Sequence, residues 1–150
     1  MTEESPLNIL LVEDNEADVK IAIRAFNQVL KQNNLYVVNN GQECVDFVKN
    51  QGSYQDTEKH PKPDLILLDI SMPVMDGFGV LKTLKEDGHY RAIPIIVLTG
   101  SDNEEDVMRS YQGGANSFIQ KPVTYEEFVE VLKGFNFYWH TLNKLPGRKK

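Results

Sequence analysis

Five short apolar runs, rich in β-branched residues and about evenly spaced, constrain this chain more than any other feature: residues 9–12, 35–38, 65–68, 95–98 and 117–119. Each is too short for a helix and continuous rather than alternating, the pattern of strands mostly buried on both faces of a parallel sheet. Between them, apolar positions recur at helical spacing. Ala22, Ala25, Phe26 and Val29 share one face, Val107, Met108 and Tyr111 another, and Phe128, Val131, Leu132 and Phe135 a third. Shorter segments after Asn40 and Gly77 carry Val45, Phe47, Val48 and then Phe78, Leu81, Leu84 at similar offsets. Strand and helix therefore alternate as five βα units, and right-handed crossovers then place helices on both sides of one sheet. The expected fold is α/β: a doubly wound, five-stranded parallel sheet.

With 150 residues, 41% hydrophobic and 25% charged, the chain is sized for one domain with one sizeable core. Its formal charge of −6 speaks against nucleic acid as a partner, because phosphate backbones need a concentrated basic surface. The single cysteine, Cys44, allows no intramolecular disulfide and is expected to be a small buried hydrophobe on a helix. Residues 1–6 are acidic and polar where a signal peptide would be basic and then apolar, and no apolar run approaches membrane-spanning length, so a cytoplasmic protein without a membrane partner is expected. Segment 51–63, with almost no apolar content, reads as a solvated loop, and Lys144, Arg148, Lys149 and Lys150 make a basic tail.

In open parallel sheets the active crevice lies beyond the carboxyl ends of the strands. There the first strand ends in Glu13 and Asp14, the third in Asp69 and the fourth in Thr99, while the fifth runs through Phe118 to Lys121 and Pro122. Three carboxylates, a hydroxyl and an amine converge. Like charges crowded at one edge are tolerated when a hard cation such as Mg²⁺ takes oxygen ligands from them. A carboxylate oxygen of Asp69 could then attack phosphorus while the Lys121 ammonium and the Thr99 hydroxyl stabilise the transferring oxygens. Taken alone, Glu13 and Asp14 serve equally well as a helix N-terminal signal, Thr99 as a strand-end threonine and Lys121 as a solvated lysine. Asp69 is harder to explain that way, since the following Met72-Pro73-Val74-Met75-Asp76-Gly77 already supplies the turn chemistry.

Val12-Glu13-Asp14, Leu68-Asp69 with Met72-Pro73 and Asp76-Gly77, Leu98-Thr99 and Lys121-Pro122 together resemble the response-regulator receiver family of two-component signalling, over residues 7–134. The resemblance implies a flavodoxin-like (βα)5 receiver at 7–134, followed at 135–150 by an extension of the last helix and the basic tail. It implies that Asp69 accepts a phosphoryl group from a sensor histidine kinase. Asp14 and Asp69 would ligate Mg²⁺ directly, Glu13 through water and Ser71 through its backbone carbonyl. Thr99 resembles the switch hydroxyl, Phe118 the aromatic whose rotamer follows it, and Lys121 the cation of the site, with a cis bond to Pro122. Such a chain catalyses only its own phosphorylation and dephosphorylation and signals by protein–protein contact. Two positions depart from the common pattern: Phe118 lacks the hydroxyl of the tyrosine found in many receivers, and Gly100 follows Thr99 where a small residue with a Cβ is commoner. Within the family, the 51–63 loop, the Asp102-Asn103-Glu104-Glu105-Asp106-Val107 stretch, Trp139 and Leu145-Pro146 are most similar to single-domain regulators that partner phytochrome-type kinases. Beyond the face of Phe128, Val131, Leu132 and Phe135, the chain adds Phe137, Tyr138, Trp139 and Leu142, more apolar surface than one sheet face needs. Either these residues fold back over the domain's own edge or a second copy covers them, and a homodimer through the C-terminal face is the preferred expectation.

Three rival functions fit less well. A haloacid-dehalogenase-type phosphatase wants a second aspartate two residues after the nucleophile, where Ser71 stands. A nucleotide- or flavin-binding domain wants a Gly-rich loop after the first strand, whereas Gly113-Gly114 precedes a strand and reads as a turn. A receiver-like module that only binds partners would have lost a member of the Glu13, Asp14, Asp69, Thr99, Lys121 set.

Overall fold

The structure, a computed structural model, describes residues 6–29, 31–72, 74–100, 103–120 and 124–137, with the side chains of Thr99 and of 135–137 outside that description. Its elements alternate as expected: β1 (Asn8–Val12), α1 (Glu16–Val29), β2 (Asn34–Val38), α2 (Gly41–Lys49), β3 (Leu65–Leu68), α3 (Gly77–Lys85), β4 (Ile95–Thr99), α4 (Glu104–Gln112), β5 (Ser117–Gln120) and α5 (Tyr125–Phe137). The sheet is parallel throughout, in the order β2-β1-β3-β4-β5. The order reverses direction after β1, which places β1 and β3 side by side at the switch point where such sheets bind ligands.

Successive side chains on the central strands point to opposite faces, and each face has its own core. Leu10, Val12, Ile66, Leu68, Ile95 and Val97 meet Cys44, Phe47 and Val48 of α2 and Val80, Leu81 and Leu84 of α3. Ile9, Leu11, Leu65, Leu67, Ile96 and Leu98 meet Ala22, Ala25 and Phe26 of α1 and Phe128, Val129 and Leu132 of α5. Burying a side chain of this size contributes about 1.5–3 kcal/mol, so the doubly covered central strands supply most of the driving force. Polar ties add to the α1–α5 contact: Arg24 lies 4.5 Å from the ring centroid of Tyr125, whose hydroxyl donates to Gln28.

The strands are mostly buried, as expected, the exceptions being β2 and β5 at the sheet edges, half-buried over most of their length because each has a neighbour on one side alone. Two expectations need correction. On α4 the Val107, Met108, Tyr111 face is not a core face, since Met108 is 56% and Tyr111 50% exposed and the buried residue is Ser110. On α5 it is Val129 rather than Val131 that joins Phe128 and Leu132 in the core, Val131 being half-buried.

The 51–63 segment is largely exposed, as expected, but it is built. A 3₁₀ turn at Gly52–Tyr54 follows α2, and Asn50 ends that helix in the left-handed region at φ 55°. From there the Asn50 Nδ2 donates to the carbonyls of Tyr54 and His60, both at 2.9 Å. The rings of Tyr54 and His60 then pack on Phe47, at centroid separations of 5.3 and 5.4 Å, which ties the loop to the α2 side of the core. Cys44 is buried as expected, and desolvation pushes its thiol up to about 12. No helix among the described residues is long and apolar enough to cross a membrane.

Candidate functional site: a carboxylate cluster at the sheet switch point

The two central strands run straight into the site. The Glu13 amide donates to the Val38 carbonyl at 3.0 Å and the Asp69 amide to the Val12 carbonyl at 3.1 Å, so the ladders of β1 with β2 and β3 continue one residue past the strand ends. Both side chains are therefore aimed by sheet backbone, and both are buried, at 2% and 7% exposure. Asp14, one residue further, is exposed. Ligand atoms of Glu13, Asp14 and Asp69 lie within 4.8 Å of one another, the one such acidic or His/Cys group among the described residues. At that spacing two like unit charges repel by about 3.5 kcal/mol at an effective dielectric of about 20. A cluster of oxygen donors at this range fits a hard divalent cation, and the exposed Asp14 leaves it a way in.

The helix-signal explanation of the β1 acids loses its footing here, because Asn15 does the capping. Its side chain accepts from the Asp18 amide at 3.0 Å, and its own amide donates to Glu13 Oε2 at 3.2 Å. In the same way Asp76 caps α3, accepting from the Gly79 amide at 3.0 Å. The loop carrying Asp69 closes tightly. The Ser71 amide donates to Asp69 Oδ1 at 3.3 Å and the Gly77 amide to the Ile70 carbonyl at 2.9 Å. A Cβ on Gly77 would stand 2.7 Å from the Asp69 carbonyl oxygen, and one on Gly41 would strike the Met75 carbonyl, to which the Gly41 amide donates at 3.1 Å. Val74 in this loop has φ 69° and is 82% exposed, a left-handed conformation that costs a β-branched residue on the order of 1–3 kcal/mol.

Beside the cluster opens a cleft of about 530 Å³, lined among others by Asp14, Ser71, Met72, Asp76, Phe78 and Asp106. Ser71 lines the cleft. Phe78 and Asp106 are additions: the sequence places Phe78 on a helix face and Asp106 within the 102–107 stretch of the within-family resemblance, with no site role for either. The signal for Asp106 was its place in the first turn of the helix after β4, whose start faces the same sheet edge. Thr99 ends β4 in register with Gln120, and Phe118 pairs with Val97 and packs half-buried on the α2/α3 side of the core. The Thr99 side chain, Lys121, Pro122 and the bond between the last two lie outside the described residues. A Cβ on Gly100 would meet no described residue within 4 Å.

The comparisons agree with this geometry. The family model described as the response regulator receiver domain matches residues 9–133. Response regulator Rcp1 of Synechocystis sp. is 34% identical over 148 residues, covering 97% of this chain and 99% of the relative. The crystal structure of the phosphorylated cyanobacterial phytochrome response regulator RcpA has a TM-score of 0.86 at 32% identity, over 95% of this chain and 99% of that one. The Mn²⁺-bound form of Rcp1 has a TM-score of 0.83 at 33% identity, over 95% of this chain and 100% of that one. With the fold, the acidic cluster and the matched span in agreement, the chain belongs to the response regulator receiver domain family.

Proposed function

We propose that this chain is a phosphoacceptor response regulator that takes a phosphoryl group from a sensor histidine kinase onto Asp69 and passes the signal on by protein–protein contact. The observation that carries the reading is the placing of Asp69: at the end of β3, 7% exposed, held through Oδ1 by the Ser71 amide and within 4.8 Å of two further carboxylates. In the transfer, an Asp69 carboxylate oxygen forms a bond to phosphorus as the bond from phosphorus to the donor nitrogen breaks, and with the donor ring protonated on its other nitrogen the products are an acyl phosphate and a neutral imidazole. The residues assigned to Mg²⁺ are Asp14 and Asp69 directly, Glu13 through water and Ser71 through its backbone carbonyl. When bound, the ion offsets the cluster's charge and stabilises the transferring oxygens. Lys121 is assigned the ammonium that pairs with the phosphoryl oxygens, and Thr99 with Phe118 the switch that answers the new charge. The Ser71 amide already orients Asp69 Oδ1.

The receiver unit is taken as 7–134 and the extension as 135–150. A phytochrome-type kinase is the partner we favour, supported by the likeness to regulators described as phytochrome or bacteriophytochrome response regulators. Cytoplasmic residence belongs to the same proposal. Homodimerisation through the C-terminal face is supported by the exposed Met108 and Tyr111 of α4, which add apolar surface near that end of the sheet. Sedimentation of the parent and of a Phe135→Ala, Trp139→Ala variant tests it, and a monomer under every condition rejects the dimer. The phosphoacceptor reading is tested by incubation with acetyl phosphate and Mg²⁺ and intact-mass measurement: one phosphate-sized increase in the parent and none in Asp69→Asn is expected, and labelling of that variant would reject it.

A further inference from the structure

Phe78, in the first turn of α3, is a wall shared by two depressions. One side borders the cleft beside Asp69, together with Asp106 of α4. The other borders an open groove of about 430 Å³ between α3 and α4, where the Arg109 guanidinium sits 3.8 Å from the Phe78 ring centroid. Most of α4 is exposed, with Asp106 and Val107 half-buried. Its buried residue, Ser110, spends its hydroxyl on the helix's own Asp106 carbonyl, and Met108 and Tyr111 are exposed. The Tyr111 hydroxyl accepts from the Phe118 amide at 3.2 Å, a tie to the exposed side of β5. Arg109 and Asp106 stand three residues apart on one side of the helix, so whatever fixes one fixes the other.

We infer that Arg109 is a positioning residue for the phosphorylation cleft, acting through Phe78 to hold α4, and with it Asp106, against the cleft. The inference rests on the function proposed above. A phosphoryl group brings negative charge into a cleft where the Asp106 carboxylate stands, so α4 in its described position opposes labelling and a released α4 opposes it less. The coupling is reciprocal: charge placed on Asp69 loosens the stack on Phe78 and so reaches the α3/α4 surface by a route separate from Thr99 and Phe118.

The test compares Arg109→Ala and Arg109→Lys with the parent, in labelling rate from sub-saturating acetyl phosphate with Mg²⁺ and in hydrogen exchange across residues 104–112. Loss of one exposed cation–π contact should speed labelling of Arg109→Ala by about 2- to 5-fold and raise exchange along α4, while Arg109→Lys, which keeps the cation, stays near the parent in both. A parent that labels, with an Arg109→Ala rate unchanged or slower, overturns the inference alone. A parent that takes no phosphoryl group overturns the function proposed above and the inference with it.

Discussion

Gly77→Ala isolates the link between loop packing and the phosphoacceptor. A Cβ there would lie 2.7 Å from the Asp69 carbonyl oxygen and 2.8 Å from the Ile70 Cα. Both atoms are backbone at the end of a strand whose neighbouring residue Leu68 is fully buried, so neither can swing aside as a side-chain tip would. Overpacking of this kind costs about 1–3 kcal/mol. The better helix propensity of alanine returns about 1 kcal/mol, leaving a net destabilisation of about 0–2 kcal/mol. The functional effect should be larger, because the displaced carbonyl belongs to the nucleophile itself and a misplacement approaching 1 Å can slow a reaction by about 100-fold. Gly79→Ala is the control. Its Cβ meets the flexible Met75 side chain, at 2.7 Å from Cγ, and should leave stability and labelling close to the parent. Urea midpoints and intact-mass labelling rates read both effects. If Gly77→Ala and Gly79→Ala behave alike, the close approach at Asp69 does not position the site.

Asp14→Ala should weaken divalent-cation binding about 10-fold or more, and further than Glu13→Ala does, because the short exposed carboxylate is assigned direct ligation; equal affinities by Mn²⁺ titration contradict that assignment. Asn50→Ala should cost roughly 2–3 kcal/mol in chemical denaturation, from two lost hydrogen bonds and an alanine held at φ 55°, whereas Asn50→Gly recovers the backbone part. Equal losses in the two variants would deny the conformational share. Burial holds the Cys44 thiol at about 12 against 9.0 in the unfolded chain, so its contribution is fully present below pH 9.0 and is lost as pH rises through that window. Stability should fall there by up to about 1.4 kcal/mol per pH unit, and Cys44→Ala should flatten the slope in pH-dependent melting.

What could be read from the residues, and what could not, divides along local against non-local physics. The central strands announce themselves because a strand covered on both faces must be apolar at every position, as 65–68 and 95–98 are. Asp69 is legible for the same reason: a carboxylate directly after the run 65–68 has no local need to be there, whereas Glu13 and Asp14 serve a helix start equally well. Edge strands do not separate from central ones in the sequence, since Leu35 and Val37 look the same whether one neighbour or two covers them. The α4 face misled because Val107, Met108 and Tyr111 have core spacing, yet the anchor is Arg109 on Phe78, a contact between two helices with no sequence period. The built 51–63 loop depends on Tyr54 and His60 reaching Phe47, also non-local, although Asn50 at a helix end was a readable sign of a left-handed cap. Gly77, which its sequence neighbours place in a turn, is a point of close backbone approach, as is Gly41, for which the sequence carries no such signal.

The most direct test of the central claim locates the phosphoryl group chemically. The parent is labelled with acetyl phosphate and Mg²⁺, reduced with borohydride, which converts an aspartyl phosphate to homoserine, and mapped by peptide mass. Homoserine at position 69 and nowhere else is predicted; homoserine at Asp14 or another carboxylate, or a chain that takes up no phosphoryl group, contradicts the account.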